Sequence, residues 1–356
     1  MRATLQRGTL LETLGKVKSA VAPKHTLPVL GAVLIRAGGG QVTLTGTNLE
    51  VALTARCKAN VSRQGAVAVL PKTLEAFLKA VKAETVTLSL VGKTHLKVEA
   101  GAVTTLEGFE AQEFPKVPGV RGKAVEVTGL GNGLKQISYA MAKEGGRPVL
   151  EGIHFAPDNG TVVLAAADGF RLAETKVKAK GQFEQAIVPA RAVQLIERLM
   201  PGKVSIHRPK NGKSTEYPHI SFVGDGLVLT AMVIQGTYPN YSQVIPKGGS
   251  LFTVDKGALR NALDVVSITL PDNNCVRFQT RGGNLVVSTK NEEKGKTEIK
   301  VPAKGKAKIA FDMHYLRDVL AKASEQLILR LRDAQTPGVV KQNGTIHVLM
   351  PMFVEW

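Results

Sequence analysis

The chain has 356 residues, 44% of them hydrophobic and 5% aromatic, and no apolar run approaches the ~18 residues needed to span a bilayer, which excludes a helical membrane protein. Forty-seven Lys+Arg against 29 Asp+Glu give a net charge of +18, an excess spread along the whole chain that points to a polyanionic partner. Two cysteines, Cys57 and Cys275, without CxxC spacing exclude a disulfide scaffold and a cysteine zinc site, and together with an N-terminal stretch that lacks a signal-peptide block they place the chain in a reducing cytoplasm.

Taken in order, the first element is a helix with an apolar stripe of Leu10, Leu14, Val17 and Val21 that stops at Pro23. TLPVLGAVLIRAGGGQVTLTGTNLEVAL, Thr26 to Leu53, reads as a strand, a glycine turn and further strands. A second helix lies in LPKTLEAFLKAVKAE, with Pro71 at its first position and Leu74, Phe77, Leu78 and Val81 on one face. Leu134, Ile137 and Met141 mark a third helix. From Gly146 to Val177 the chain shows an Arg-Pro entry, a strand, an Asn159-Gly160 hairpin turn and a second strand closing on Ala-Asp-Gly-Phe-Arg-Leu. VPARAVQLIERLMPG places Pro189 where Pro71 stood and carries Leu195, Ile196 and Leu199. Asp255 is the expected N-cap of a fifth helix through Leu259, Leu263 and Val266. FDMHYLRDVLAKAS supplies a sixth through Leu316, Val319 and Leu320, and HVLMPMF a last strand.

Pro28 and Asn48 recur as Pro148 and Asp168, each 120 residues on, and NNCVRFQTRGGNLVVSTKNEEKGKTEIKV is a third, more eroded copy. The chain therefore reads as three tandem copies of one domain, expected at 1–120, 121–246 and 247–356. With two helices per copy and hairpin-sized links between β-rich runs, the class is α+β with antiparallel sheets.

No catalytic pattern emerges. Gly129-Leu130-Gly131-Asn132-Gly133-Leu134 echoes a dinucleotide fingerprint but has Leu134 at the third glycine position, and it reads as a helix entry. The seven histidines lack metal spacing, and His154 reads as a structural strand residue. Asp168 reads as a turn residue bonding its own backbone amides. No enzyme, metal or cofactor is expected. Basic residues lie off the apolar stripes of all six helices, among them Arg7, Lys72, Lys79, Lys135, Arg191, Arg198 and Arg260, and these are candidate phosphate contacts.

The blocks RPVLEGIHF and ADGFRLA, the segment YPNYSQVIP at Tyr238–Pro246, the opening TLPVLGAVLI with TGTNLEVAL, and the terminal HVLMPMF closely resemble the bacterial DNA sliding-clamp family, the β subunit of DNA polymerase III, over essentially the whole chain. The resemblance implies three copies of the DNA-clamp fold and a head-to-tail homodimeric ring around double-stranded DNA, with six helices per subunit facing the hole. It implies a processivity factor whose hydrophobic pocket holds short linear peptides of the replicative polymerase, the clamp loader, repair polymerases and mismatch-repair proteins. Carried over, that pocket is Leu150, Gly169, Phe170, Arg171, Leu172, Pro239, Gln243, Val244, Val348, Met350, Pro351 and Met352. The resemblance also places DNA against Lys24, His25 and Arg147. The dimer is expected at edge strands of the first and third domains, with Ile268 and Leu270 as interface positions.

Three features depart from the family pattern: the +18 charge, the extension to Trp356, and Ala167 in place of a hydroxyl-bearing residue before the Asp-Gly turn. Rival readings are a clamp-like paralogue with other partners, a non-specific basic DNA-binding protein, and a nuclease or nucleotidyltransferase built on Asp168.

Overall fold

The computed structural model describes residues 1–22, 27–143, 146–208 and 218–356. The first repeat runs β1 (Arg2–Gln6), α1 (Arg7–Val17), β2 (Val33–Gly38), β3 (Gln41–Thr47), β4 (Val51–Lys58), β5 (Asn60–Arg63), β6 (Gly65–Val69), α2 (Pro71–Ala80), β7 (Thr85–Val91), β8 (His95–Glu99), β9 (Val103–Leu106) and β10 (Gly108–Glu110). The second runs β11 (Ala124–Thr128), α3 (Leu130–Ile137), β12 (Gly152–Asp158), β13 (Thr161–Ala167), β14 (Arg171–Lys180), β15 (Ala186–Pro189), α4 (Ala190–Leu199), β16 (Val204–His207), β17 (His219–Gly224) and β18 (Leu227–Met232). The third runs β19 (Ser250–Asp255), α5 (Lys256–Val266), β20 (Cys275–Arg281), β21 (Asn284–Asn291), β22 (Gly295–Lys304), β23 (Lys308–Asp312), α6 (Met313–Lys322), β24 (Gln326–Leu331), β25 (Gly338–Gln342) and β26 (Thr345–Leu349). One plan, strand–helix–strands–helix–strands, is thus used three times. No α-helix among the described residues is long and apolar enough to cross a membrane.

Local chemistry explains the repetition. The hairpins β2–β3, β12–β13 and β20–β21 turn at Gly39-Gly40, Asn159-Gly160 and Gly282-Gly283, and all six residues have positive φ. Paired positive φ is the two-residue turn whose twist matches antiparallel strands, and glycine or asparagine adopts it most cheaply. Each helix then buries the stripe read from the sequence: Leu10, Leu14 and Val17 on α1, Leu74 and Leu78 on α2, Leu259, Leu263 and Val266 on α5, and Leu316, Val319 and Leu320 on α6. At about 1.5–3 kcal/mol per buried aliphatic side chain, this burial outweighs the helices' weak capping. α5 and α6 have side-chain N-caps, Asp255 accepting from Ala258 N–H and Asp312 from His314 and Tyr315 N–H, whereas α1, α2 and α4 have none.

The helices are shorter than their stripes suggest. Val21, Val81 and Met141 lie beyond the α-helical residues, where 3-10 turns or extended backbone take over. Pro189 closes β15 and caps α4, whereas Pro71 is the first residue of α2. Of the glycines in the 129–134 stretch, Gly129 turns the chain into the helix with φ +78, whereas Gly131 and Gly133 are packing residues. A Cβ on Gly133 would stand 2.7 Å from Val177 Cγ1, so α3 sits against the strands only because that side chain is absent. The terminal strand stops at Leu349, and Met350–Trp356 follow without regular structure.

The described residues form two compact units: Met1–Asn132 with Pro157–Thr161 and Lys178–Ile234, and Gly133–Ala156 with Val162–Val177 and Gln235–Trp356. In the first unit, one open antiparallel sheet pairs β10, β6, β2, β3, β4, β18, β17, β16 and β11 in that order, and a second runs β5-β1-β7-β8-β9. In the second unit, β14 pairs with β26, which continues through β25, β24 and β19 to β22, β21, β20 and β23. The division cuts the middle repeat because its β18 is laddered to β4 and its β14 to β26.

Candidate functional site

Asp168 organises one corner of the second unit. Its Oδ1 accepts the amides of Phe170 and Arg171, both at 2.9 Å, and its Oδ2 accepts Arg171 Nε at 2.8 Å. Gly169 between them has φ +95. This closed turn presses Arg171 inward and throws Phe170 outward, with 60% of Phe170 exposed. The guanidinium of Arg171 also binds Asp318 of α6 and lies over the rings of Tyr315 at 4.5 Å and Tyr139 at 5.2 Å. Burial lowers its pKa, but the hydrogen bonds and charges of Asp318 and Asp168 more than offset that, and the net direction is upward. Behind it, the Tyr139 hydroxyl and His347 Nδ1 are 2.8 Å apart. Burial, with the charge of Lys322 adding to it, depresses the His347 pKa to about 4, and burial pushes the Tyr139 phenol up.

The other candidate residues gather at this corner. Leu172 faces Val348 across the β14–β26 ladder, and with Val339 they form a small buried cluster flanked by Ala167, Tyr241, Ile245 and Ile346. Met350 N–H donates to Phe170 O at 2.9 Å, and Met352 N–H to Ala310 O at 2.8 Å, so the tail containing Pro351 is held at both ends. Gln243 and Val244 are exposed on the 3-10 turn Tyr241–Val244. Pro239 precedes it, beside the edge-on pair Tyr238–Tyr241. Leu150 is buried in the 3-10 turn Pro148–Leu150, which lies so close to Gly236 that a Cβ there would meet Val149 Cγ1 at 2.7 Å. Leu172 and Val348 are thus the buried floor of this corner, and Leu150 is reached through the Val149–Gly236 contact. The corner's exposed apolar part is Phe170, Val244 and Met350.

Tyr139, Tyr315, Asp318 and His347 belong to the same corner and are not marked by the sequence. They lie on separate elements, and no spacing links them to the Asp168 turn. His154, read as structural, stacks on Tyr238 at 4.9 Å. Trp356 lies over Lys308 Nζ at 5.4 Å rather than loose.

The basic candidates divide by environment. Lys24 and His25 lie outside the described residues. Arg147, Lys72, Lys79, Lys135, Arg198 and Arg260 are exposed, with Lys79 paired to Glu75 at 2.7 Å. Arg7 is turned inward, donating to Leu78 O and Ala83 O at the end of α2. Arg191 donates to Ser19 O. Both do structural work that a helix-face reading misses. Ile268 is 70% exposed, whereas Leu270 packs against the third repeat's core.

Three family models match end to end: the DNA polymerase III beta subunit N-terminal domain over residues 1–118, its central domain over 124–240 and its C-terminal domain over 242–353. The beta sliding clamp of Pseudomonas putida is 31% identical, and that of Pseudomonas aeruginosa 30%, each alignment covering 99% of this chain and 100% of the relative. A crystal structure of the Pseudomonas aeruginosa sliding clamp bound to griselimycin superposes with a TM-score of 0.90 at 29% identity, covering 99% of this chain and 100% of that one. The Bacillus subtilis sliding clamp shares the fold at a TM-score of 0.90 and 19% identity, with both chains fully covered.

Proposed function

The chain belongs to the DNA polymerase III beta-subunit family and is a sliding clamp, a processivity factor of replication; we propose that it works as a non-catalytic, cytoplasmic homodimeric ring that tethers partners to duplex DNA through the corner built on Asp168. The three domains of that reading are 1–120, 121–246 and 247–356. The observation that carries the tether is the convergence of three separate segments, Gly169–Leu172, Pro239–Val244 and Val348–Met352, on one partly exposed apolar surface beside a fixed cation. Phe170 and the two methionines repack around different apolar anchors, and Arg171 offers a charged rim whose position the Asp168–Asp318 bracket holds. Polymerases, the clamp loader and repair proteins compete for it.

A ring explains why the DNA contacts are plain. Affinity drawn from Lys and Arg against phosphates is sequence-blind and falls steeply with salt. Topological linkage needs no such affinity, because release requires an interface to open. Exposed cations such as Arg147, Lys135, Arg198 and Arg260 then need only weak contacts that break and re-form. Ring closure has support in the ladders. β18 pairs with β4 and β26 with β14. The corresponding strand of the first repeat, β9, is laddered on one side to β8, and that of the third, β22, is laddered on one side to β21 and on the other to β19 only at Lys304 and Ala303, which leaves the 295–302 stretch of that edge for a partner strand. A second copy of the chain completes both.

The pocket is tested by Phe170→Ala with Met350→Ala, two exposed positions whose loss spares the core. A partner-derived peptide followed by fluorescence anisotropy should bind at least about tenfold more weakly, the scale of lost apolar anchors. Unchanged affinity removes the assignment. Retention on circular DNA after loading, with escape once the circle is linearised, separates the ring from a non-specific basic binder, which holds both forms with the same salt slope.

A further inference from the structure

The first unit contains a groove of about 850 Å³ between a sheet face and the irregular segment that follows β10. Its floor is one face of β2, β3, β4 and β18. Leu34, Thr45, Thr54 and Val228 stand side by side across the four strands in consecutive register, and the Thr45 and Thr54 hydroxyls are 3.1 Å apart. One step along the same face, Arg36 and Arg56 flank Thr43 from opposite sides. With strands about 4.8 Å apart, the two arginines rise from positions roughly 10 Å from one another. The roof is the 111–120 segment, pinned by Phe114, which is 4% exposed in a cluster with Val29, Ala32 and Ala68. Beyond the pin, the roof contributes Lys116, Val117 and Val120.

Three exposed cations, Arg36, Arg56 and Lys116, thus line one groove that has no carboxylate in its wall among the described residues. The acids at the start of the roof are engaged elsewhere: Glu113 accepts Glu110 N–H at 3.0 Å, and Glu110 faces Lys93 at 3.6 Å. Lone cations on a basic protein are ordinary. Three around a groove with apolar walls and a hydroxyl floor make a surface complementary to an anion that also carries an apolar group.

The repeat shows what kind of molecule fits. Phe114-Pro115 follows the last strand of the first repeat as Tyr238-Pro239 follows that of the second. In both places the aromatic is buried and the segment after it lies over a sheet in which a strand of the next repeat has joined, Val228 facing Thr54 as Ile346 faces Glu174. The groove is the internal counterpart of the peptide corner, with arginines and a lysine where that corner offers Phe170 and methionines. We propose that it is a second peptide-binding site, selective for an extended acidic segment bearing an apolar side chain. The choice of a peptide rests on the pocket reading above; the preference for acid does not.

The test uses the full-length chain and a fluorescein-labelled octapeptide of alternating glutamate and leucine, followed by anisotropy at physiological salt. Arg36→Glu with Arg56→Glu should weaken binding at least about tenfold, the scale of reversing two close cations. The charge-matched pair Lys290→Glu with Lys306→Glu, exposed positions in the other unit, should change it less than about twofold. Equal losses in the two pairs mean that the peptide reads only net charge and overturn the proposal. An alternating glutamate–serine peptide that binds as well as the leucine one, or full displacement by millimolar inorganic phosphate, also overturns it by reducing the groove to a simple anion site. If the double variant misfolds by circular dichroism, Lys116→Glu on the roof carries the same expectation without touching the sheet. Phe170→Ala with Met350→Ala should leave the acidic peptide's affinity unchanged, so failure of the first pocket and failure of this groove are read separately.

Discussion

At the residue scale, the Asp168 turn shows how one side chain can close a turn and fix a neighbouring cation together. Its carboxylate satisfies two amides and orients Arg171, and this is the turn role that the Ala-Asp-Gly-Phe-Arg run announces. The histidine behind it could not be read so. His347 is 2% exposed beside the Tyr139 hydroxyl, and its folded pKa of about 4 lies below the ordinary value near 6.5. The unfolded chain therefore binds the extra proton first as pH falls, and stability declines from about pH 6.5 towards pH 4. Lowering pH from 7 to 5 should cost about 2 kcal/mol through this group alone. His347→Gln should remove that part of the acid sensitivity, read from urea midpoints at the two pH values. An unaltered difference would show that His347 titrates normally.

At the element scale, apolar periodicity found the six α-helices of the described residues, but their ends obey other rules. α5 and α6 have aspartate caps, whereas Gln6 before α1 makes no side-chain cap bond. Asp312→Ala should therefore lower stability by about 1 kcal/mol, whereas Gln6→Ala should change it by only a few tenths, both measured by chemical denaturation. The same logic explains Arg7. Seen in sequence, it is one more cation off an apolar stripe. In the fold, its guanidinium donates to Leu78 O in the last turn of α2, where carbonyls lack partners within the helix, and to Ala83 O just beyond it.

At the scale of the whole molecule, the dimer proposed above would join β9 to β22, by analogy with the β18–β4 and β26–β14 ladders that join consecutive repeats. Successive N–H groups point to opposite sides of a strand. Thus, of the separate variants Thr104→Pro and Thr105→Pro, one removes a donor on the outer edge of β9 and the other a ladder bond to β8. Light scattering at micromolar concentration should show a dimer for the native chain and a folded monomer for the first of these. Dimers in both variants would place the interface elsewhere. Ile268, 70% exposed, remains consistent with an interface position. Leu270 is committed to its own core.

The sequence alone determined the threefold repeat, the α+β class, the buried stripes, the hairpin turns and the turn role of Asp168. Each depends on residues close in the chain or on a pattern copied at a fixed interval. Only the tertiary structure decided which arginines face inward, that Arg171 is gripped by Tyr139, Tyr315 and Asp318, and that Arg36, Arg56 and Lys116 share one groove. Those juxtapositions come from strand register and from helices packed across long sequence separations. Local propensity carries no record of them, because the partners meet only once the sheets have formed.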